Sequence, residues 1–176
     1  RAALESATPP IPFFLAPPLP PVVGAEGRLI PTQFAFRQTK GPVQAISFDR
    51  RMFEAAHASK AAGFVAVLLD WAKAFDSVSP TSLVQALVRF GIPGYFAEAV
   101  RAIYTDRSFR VREAGQMSEP WPQAFGVSQG CPLSPFLFSI VMTVLMHDAS
   151  QAFLAHGLTQ DARIPGSEII YADDTL

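Results

Sequence analysis

The run Ile169-Ile170-Tyr171-Ala172-Asp173-Asp174 decides the reading of this chain, because an apolar strand delivers two adjacent carboxylates to its end. Side-by-side acids repel one another, and a bound divalent cation removes that cost; hard oxygen ligands of this kind suit Mg²⁺. A third acid, Asp70, ends a second apolar run, Phe64-Val65-Ala66-Val67-Leu68-Leu69. Three carboxylates at the ends of two strands are what a two-metal phosphoryl- or nucleotidyl-transfer site requires.

The bulk composition narrows the class. With 176 residues and 49% hydrophobic content, the chain suits one domain with a sizeable core. Its 14 basic and 15 acidic residues leave a net charge of −1, so any basic footprint for nucleic acid is local. The single cysteine, Cys131, excludes an internal disulfide framework and a cysteine-rich zinc site, and fits a reducing compartment. Pro12, Pro17, Pro18, Pro20 and Pro21 interrupt the apolar stretch 11–23 and exclude a signal-peptide helix. The apolar stretch 133–146 is shorter than the ~20 residues of a membrane span and reads as a buried core helix. No membrane partner is expected. The chain begins with Arg1 and stops two residues after the acid pair, which reads as a piece of something longer.

Periodicity organises the rest. Residues 1–27 are proline-rich and low in charge, an extended lead-in. A helix is predicted over 47–62, with Phe48, Met52, Phe53, Ala56 and His57 near one face. Residues 64–69 then read as a buried strand. Ser79-Pro80 is a helix start, Leu83, Val84, Leu87 and Val88 its apolar stripe, and Gly91 its stop. A second helix follows Pro93, with Phe96, Ala99, Val100, Ile103 and Tyr104 at helical spacing. Residues 108–113 alternate, with Phe109 and Val111 inward, and 121–127 is the partner strand. A long helix over 135–153 and a strand over 167–171 complete an α+β layer with helices on one sheet face.

Two further segments carry chemistry. In Asp70-Trp71-Ala72-Lys73-Ala74-Phe75-Asp76, a turn after a strand presents successive backbone N–H groups that suit a triphosphate, and Phe75 lies near enough to wall the same pocket. In Gly126-Val127-Ser128-Gln129-Gly130-Cys131-Pro132-Leu133-Ser134-Pro135, Gln129 offers both donor and acceptor, and Gly130 admits close backbone approach. Each taken alone reads equally as ordinary structure: a capping Asp with a core Phe, and a Gly/Pro loop before a helix.

Taken in order, these two segments and Tyr171-Ala172-Asp173-Asp174 resemble the three palm motifs of reverse transcriptases. Lys73-Ala74-Phe75-Asp76 and Pro132-Leu133-Ser134-Pro135 are similar to the non-LTR retrotransposon branch, with group II intron enzymes as its nearest relatives. Upstream, Gln33-Phe34-Ala35-Phe36-Arg37-Gln38-Thr39-Lys40 resembles the family's fingers motif, so the resemblance covers residue 32 to the C-terminus. It implies a right-hand polymerase fold: residues 1–28 a lead-in to the fingers, 29–62 a fingers segment, and 63–176 an antiparallel palm cut just after the acid pair. It further implies that Asp70, Asp173 and Asp174 bind two Mg²⁺, with Mn²⁺ as a substitute. The backbone of Trp71, Ala72, Lys73, Ala74 and Phe75 would hold the dNTP phosphates, and Phe75 would exclude a ribose 2′-hydroxyl. Gln129 and Gly130 would meet the incoming nucleotide, Tyr171 and Ala172 would sit by the primer end, and Arg37 and Lys40 would face the triphosphate. The implied partners are an RNA template, a DNA primer and dNTPs; oligomeric state is left open.

The chain also departs from the family. Ala35 and Thr39 stand at fingers glycines, Gly41-Pro42 replaces the usual Ser-Thr, and Ser128 stands where many non-LTR enzymes carry Arg. Ala35 requires a negative φ, so strain or rearrangement is expected in that loop. The strand ending at Ile170 is expected to lack its partner, leaving an open edge with Asp173 and Asp174 frayed and the isolated piece inactive. Alternative readings are a non-catalytic or domesticated retroelement remnant that binds nucleic acid, and a group II intron-type maturase.

Overall fold

A computed structural model describes residues 18–19, 25–58, 66–157 and 168–175. The chain order is α1 (Ala25–Arg28), α2 (Pro42–Ala58), β1 (Leu69–Asp70), α3 (Ala74–Ser77), α4 (Pro80–Phe90) and α5 (Gly94–Tyr104). Four short strands follow: β2 (Ser108–Phe109), β3 (Arg112–Glu113), β4 (Gln116–Met117) and β5 (Trp121–Pro122). The long α6 (Ser134–Ala155) and the hairpin strands β6 (Ile170–Tyr171) and β7 (Asp174–Thr175) end the described chain. This is an α+β fold.

Local chemistry sets the helix boundaries. Ser79 caps α4 by accepting the Ser82 N–H at 3.0 Å, Pro80 opens the helix, and Gly91 closes it by donating to Leu87 and Val88. Leu83 and Leu87 of α4, Ala97, Val100 and Tyr104 of α5, and Leu137 of α6 form one core with Val127. The α4–α6 contact is fastened by Arg89, whose guanidinium donates to both Asp148 oxygens at 2.8 and 2.6 Å. Helix α6 also buries Phe138 and Met142 against Ile170, which places it behind the sheet that carries the acids.

That sheet has the order β1-β7-β6 and is antiparallel throughout. On the far side of β6, the segment 32–34 adds a parallel bridge at Gln33↔Ile170. Its hydrogen bonds run from Phe34 N–H to the Ile170 carbonyl and from Ile170 N–H to the Thr32 carbonyl. A separate β2–β5 ladder and the β3–β4 hairpin, turned at Ala114-Gly115, project from the helical layer.

Several expectations are corrected. The strand at Ile170 is not open-edged: β7 pairs with it on one side and residues 32–34 on the other, with Asp174 and Thr175 forming the central strand. Val67, Leu68 and Leu69 are exposed, not buried, because β1 meets the sheet only through β7; residues 63–65 lie outside the described chain. Phe109 and Val111 also face solvent, since β2 pairs along a two-residue ladder rather than packing on the core. Helix α2 starts at Pro42, five positions before the predicted start, because proline suits a first turn. Its buried residues are Ala45 and Met52, whereas Phe53 and His57 are exposed. The stripes of α4 and α5 likewise shift: Val88, Phe96, Ala99 and Ile103 are exposed, while Ala86, Phe90 and Ala97 are buried.

Candidate active site

The carboxylates are assembled by strand register. Asp70 of β1 lies directly opposite Asp174 of β7, and Tyr171 lies opposite Asp174 across the hairpin. Opposed residues in an antiparallel ladder share one face, with Cβ atoms about 4.5–5.5 Å apart. Leu69↔Thr175 continues the register, and the Trp71 indole N–H donates to Thr175 Oγ1 at 3.1 Å, fastening the first segment to β7 by a side chain. Asp173 occupies the two-residue turn beside Ala172, whose φ of 57° lies in the left-handed region that disfavours a side chain. Among the described residues no three acidic, histidine or cysteine side chains are gathered tightly enough to enclose an ion. The arrangement is two opposed carboxylates with a third on the adjoining turn.

The other two segments are clasped together by backbone hydrogen bonds. Val127 N–H donates to the Phe75 carbonyl and Gly126 N–H to the Val78 carbonyl, both at 2.8 Å. The result is an open cleft of about 560 Å³ lined by Phe36, Phe75, Gln129, Gly130, Cys131 and Pro132, with Ser134 and Pro135 at its base. Phe75 is half-buried and serves both sides. Its ring stacks on Phe138 of α6 (centroids 4.2 Å, 14° between planes) and meets Phe36 edge-on at 6.2 Å. Gly130 has φ +84°, and a Cβ there would meet nothing within 4 Å, so space above the loop is free for a ligand. The Cys131 thiol is held below the usual cysteine range, chiefly by the backbone N–H of Leu133.

The remaining candidates are placed differently. Ala74 N–H closes a turn onto the Trp71 carbonyl at 3.1 Å, and Lys73 adopts φ 52° ahead of α3. Trp71 packs with the Phe138 cluster, and Tyr171 packs with Phe34, Met52 and Ile169. Arg37 donates to the Ile30 carbonyl at 2.9 Å, and Lys40 bonds the Pro31 carbonyl while lying 5.1 Å over the Phe34 ring. Neither cation lines the cleft. In the same loop Ala35 is buried without left-handed φ, and the strain sits instead at Phe36 (φ 59°) and Thr39 (φ 63°). Phe36 and Cys131 are cleft residues that stood inside the quoted segments without an expected role of their own.

Comparison with known proteins gives the family. A family model described as "Reverse transcriptase (RNA-dependent DNA polymerase)" matches residues 18–176. Over 157 residues, 88% of its length, the chain is 32% identical to the Retrovirus-related Pol polyprotein from type-1 retrotransposable element R2 of Nasonia vitripennis. Over 111 residues, 61% of its length, it is 32% identical to the corresponding polyprotein of type-2 retrotransposable element R2DM from Drosophila melanogaster. It is 29% identical over 139 residues, 74% of its length, to the Probable RNA-directed DNA polymerase from transposon BS of the same fly. The matches span 14%, 10% and 15% of those proteins' own lengths. The family match over nearly the whole chain, together with its R2 relatives, establishes that the chain belongs to the reverse transcriptase family, in its non-LTR retroelement branch.

Proposed function

We propose that this chain is the fingers–palm part of a non-LTR reverse transcriptase, and that the whole enzyme adds dNTPs to a DNA primer 3′-hydroxyl on an RNA template. The observation that carries the proposal is the register that opposes Asp70 to Asp174 and sets Asp173 on the adjoining turn, together with the cleft walled by Phe75 and Gln129 that the other two segments form. In this reading residues 29–62 are fingers and 63–176 are palm. The donor set is all carboxylate oxygen, which fits Mg²⁺ or Mn²⁺. Two such ions, when bound, activate the attacking hydroxyl and neutralise the leaving pyrophosphate.

The chain's own residues do the rest. Asp70, Asp173 and Asp174 would hold the cations at the end of the sheet. Phe75, fixed by its stack on Phe138, presents a rigid ring edge against a ribose 2′-hydroxyl. Gln129 is exposed on the cleft and can both donate to and accept from a nucleotide. The open face of Gly130 admits the sugar or base closely. Tyr171, at the end of β6, lies where a primer terminus meets the acids.

Primer extension on an RNA template with Mg²⁺ by the whole reverse transcriptase that contains this segment tests the proposal, with Asp70→Asn, Asp173→Asn and Asp174→Asn examined singly. Each is expected to abolish extension. A Mn²⁺ titration followed by electron paramagnetic resonance should show weakened binding in each variant. Undiminished extension by any one of them refutes the assignment.

A further inference from the structure

Arg107, just ahead of β2, stands outside every motif named above, yet its guanidinium is built into the loop that forms one wall of the cleft. Its Nη1 donates to Ser128 Oγ and its Nη2 to the Gly126 carbonyl, each at 2.6 Å. The same group lies 4.2 Å over the Tyr104 ring. Ser134 Oγ donates to the Ser128 carbonyl at 2.6 Å and lies 3.5 Å from the Tyr104 hydroxyl, which closes the network at the start of α6. Among the described residues Arg107 makes no ion pair, and its Nε is buried without a partner. A guanidinium held this way, without a carboxylate, is anchored by the loop, and the loop is in turn anchored by it.

We infer that Arg107 is a positioning residue that sets the Ser128-Gln129-Gly130 turn and thereby the nucleotide wall of the cleft. The inference about nucleotide binding rests on the polymerase reading; the inference about the loop does not. Ser128 supplies a neutral hydroxyl at this point of the loop, and the positive charge there arrives from Arg107, 21 positions upstream. Both terminal nitrogens are committed to the loop, so Arg107 acts through Gln129 and Gly130 rather than on a phosphate.

Cys131 makes the test independent of polymerase activity. It is the only cysteine, it lines the cleft, and its depressed thiol depends on the Leu133 N–H that the loop presents. Arg107→Lys keeps the charge but replaces the planar two-nitrogen fork with a single ammonium on a shorter reach. It should move the pH midpoint of Cys131 alkylation up toward that of free cysteine and speed the reaction with a bulky disulfide reagent. In primer extension it should raise KM for dNTP about tenfold with a smaller change in kcat, the size of one charge-assisted hydrogen bond. Ser128→Ala, which removes one acceptor only, should shift both readouts the same way by less, and it replaces Arg107→Lys if that variant does not fold. Arg101→Ala, an exposed partner of Glu98 on α5, should leave both unchanged. Wild-type Cys131 behaviour in folded Arg107→Lys, or in Ser128→Ala where that stands in for it, overturns the inference. Altered Cys131 chemistry with an unchanged KM for dNTP upholds the loop role and removes the nucleotide wall from the polymerase reading.

Discussion

Replacing Gly126 by alanine should break the clasp between the two cleft segments, and its cost can be separated into parts. Gly126 has φ +92°, and its N–H bonds the Val78 carbonyl. Any side chain in that conformation costs roughly 1–2 kcal/mol. A Cβ at Gly126 would also stand 3.0 Å from Asp76 Cα and 3.2 Å from the Asp76 carbonyl oxygen. Both are main-chain atoms that no rotamer change can move, and overpacking of this kind adds about 1–3 kcal/mol. The sum is about 2–5 kcal/mol. Gly130→Ala supplies the internal control: its φ of +84° carries the same conformational penalty, but nothing lies within 4 Å of its Cβ, so only about 1–2 kcal/mol is expected. Urea unfolding of both variants beside the parent measures the difference, and the parallel shift in melting temperature should be about 2–4 °C per kcal/mol. Equal losses would mean that Asp76 does not press on Gly126, and the close approach of the two segments would be refuted.

Three further outcomes follow from other contacts. Asp148→Ala should destabilise by about 3 kcal/mol, the lower end of the range for breaking a buried pair, because the Arg89 side chain is only 7% exposed while that of Asp148 is 32% exposed; chemical denaturation checks it, and a loss under 1 kcal/mol would show the pair to be solvated. Thr39→Gly should stabilise by about 0.5–1 kcal/mol, since a β-branched residue at φ 63° gives up more strain than glycine adds in unfolded-chain entropy; a drop in melting temperature would contradict it. Phe75→Val should admit ribonucleotides more readily in primer extension, and unchanged dNTP-over-rNTP discrimination would remove the gate role from that ring.

What was legible in the sequence was whatever one residue's chemistry fixes locally. Ser79-Pro80 and Gly91 bound α4 because a hydroxyl acceptor, a missing N–H and a left-handed φ are each nearly unique to those residue types. The three chemical segments were legible for the same reason, and the cleft does bring Phe75, Gln129 and Gly130 together. The length and burial of strands were not. An apolar run such as 64–69 announces a strand, but burial depends on neighbours hundreds of atoms away along the chain, and β1 has only β7 beside it. The face of α5 failed similarly: Phe96, Ile103 and Tyr104 have similar apolar bodies, and only the placement of α4 and Val127 selects Tyr104 for the core.

The left-handed positions carry the deeper lesson about this site. Six non-glycine residues among those described have positive φ, and four of them, Phe36, Thr39, Lys73 and Ala172, lie in the segments singled out for chemistry. Sequence rules assign such geometry to glycine, so a strained Phe, Thr, Lys or Ala leaves no signature in the sequence; the expectation of strain fell on Ala35 and missed its neighbour. Each of these residues costs on the order of 1–3 kcal/mol and persists only where surroundings over-determine it. Those surroundings are visible. Phe36 is wedged edge-on to Phe75, Lys73 precedes a helix whose Ser77 N–H bonds the Lys73 carbonyl at 2.8 Å, and Ala172 tips a hairpin pinned by Asp70↔Asp174 and by Trp71 on Thr175. Strain at Phe36, which lines the cleft, and at the tip of the hairpin that carries the acids is held by contacts from other segments, which is what a preorganised site requires. It also explains why carboxylates 104 positions apart in sequence can share a register fixed by only two residues of each strand.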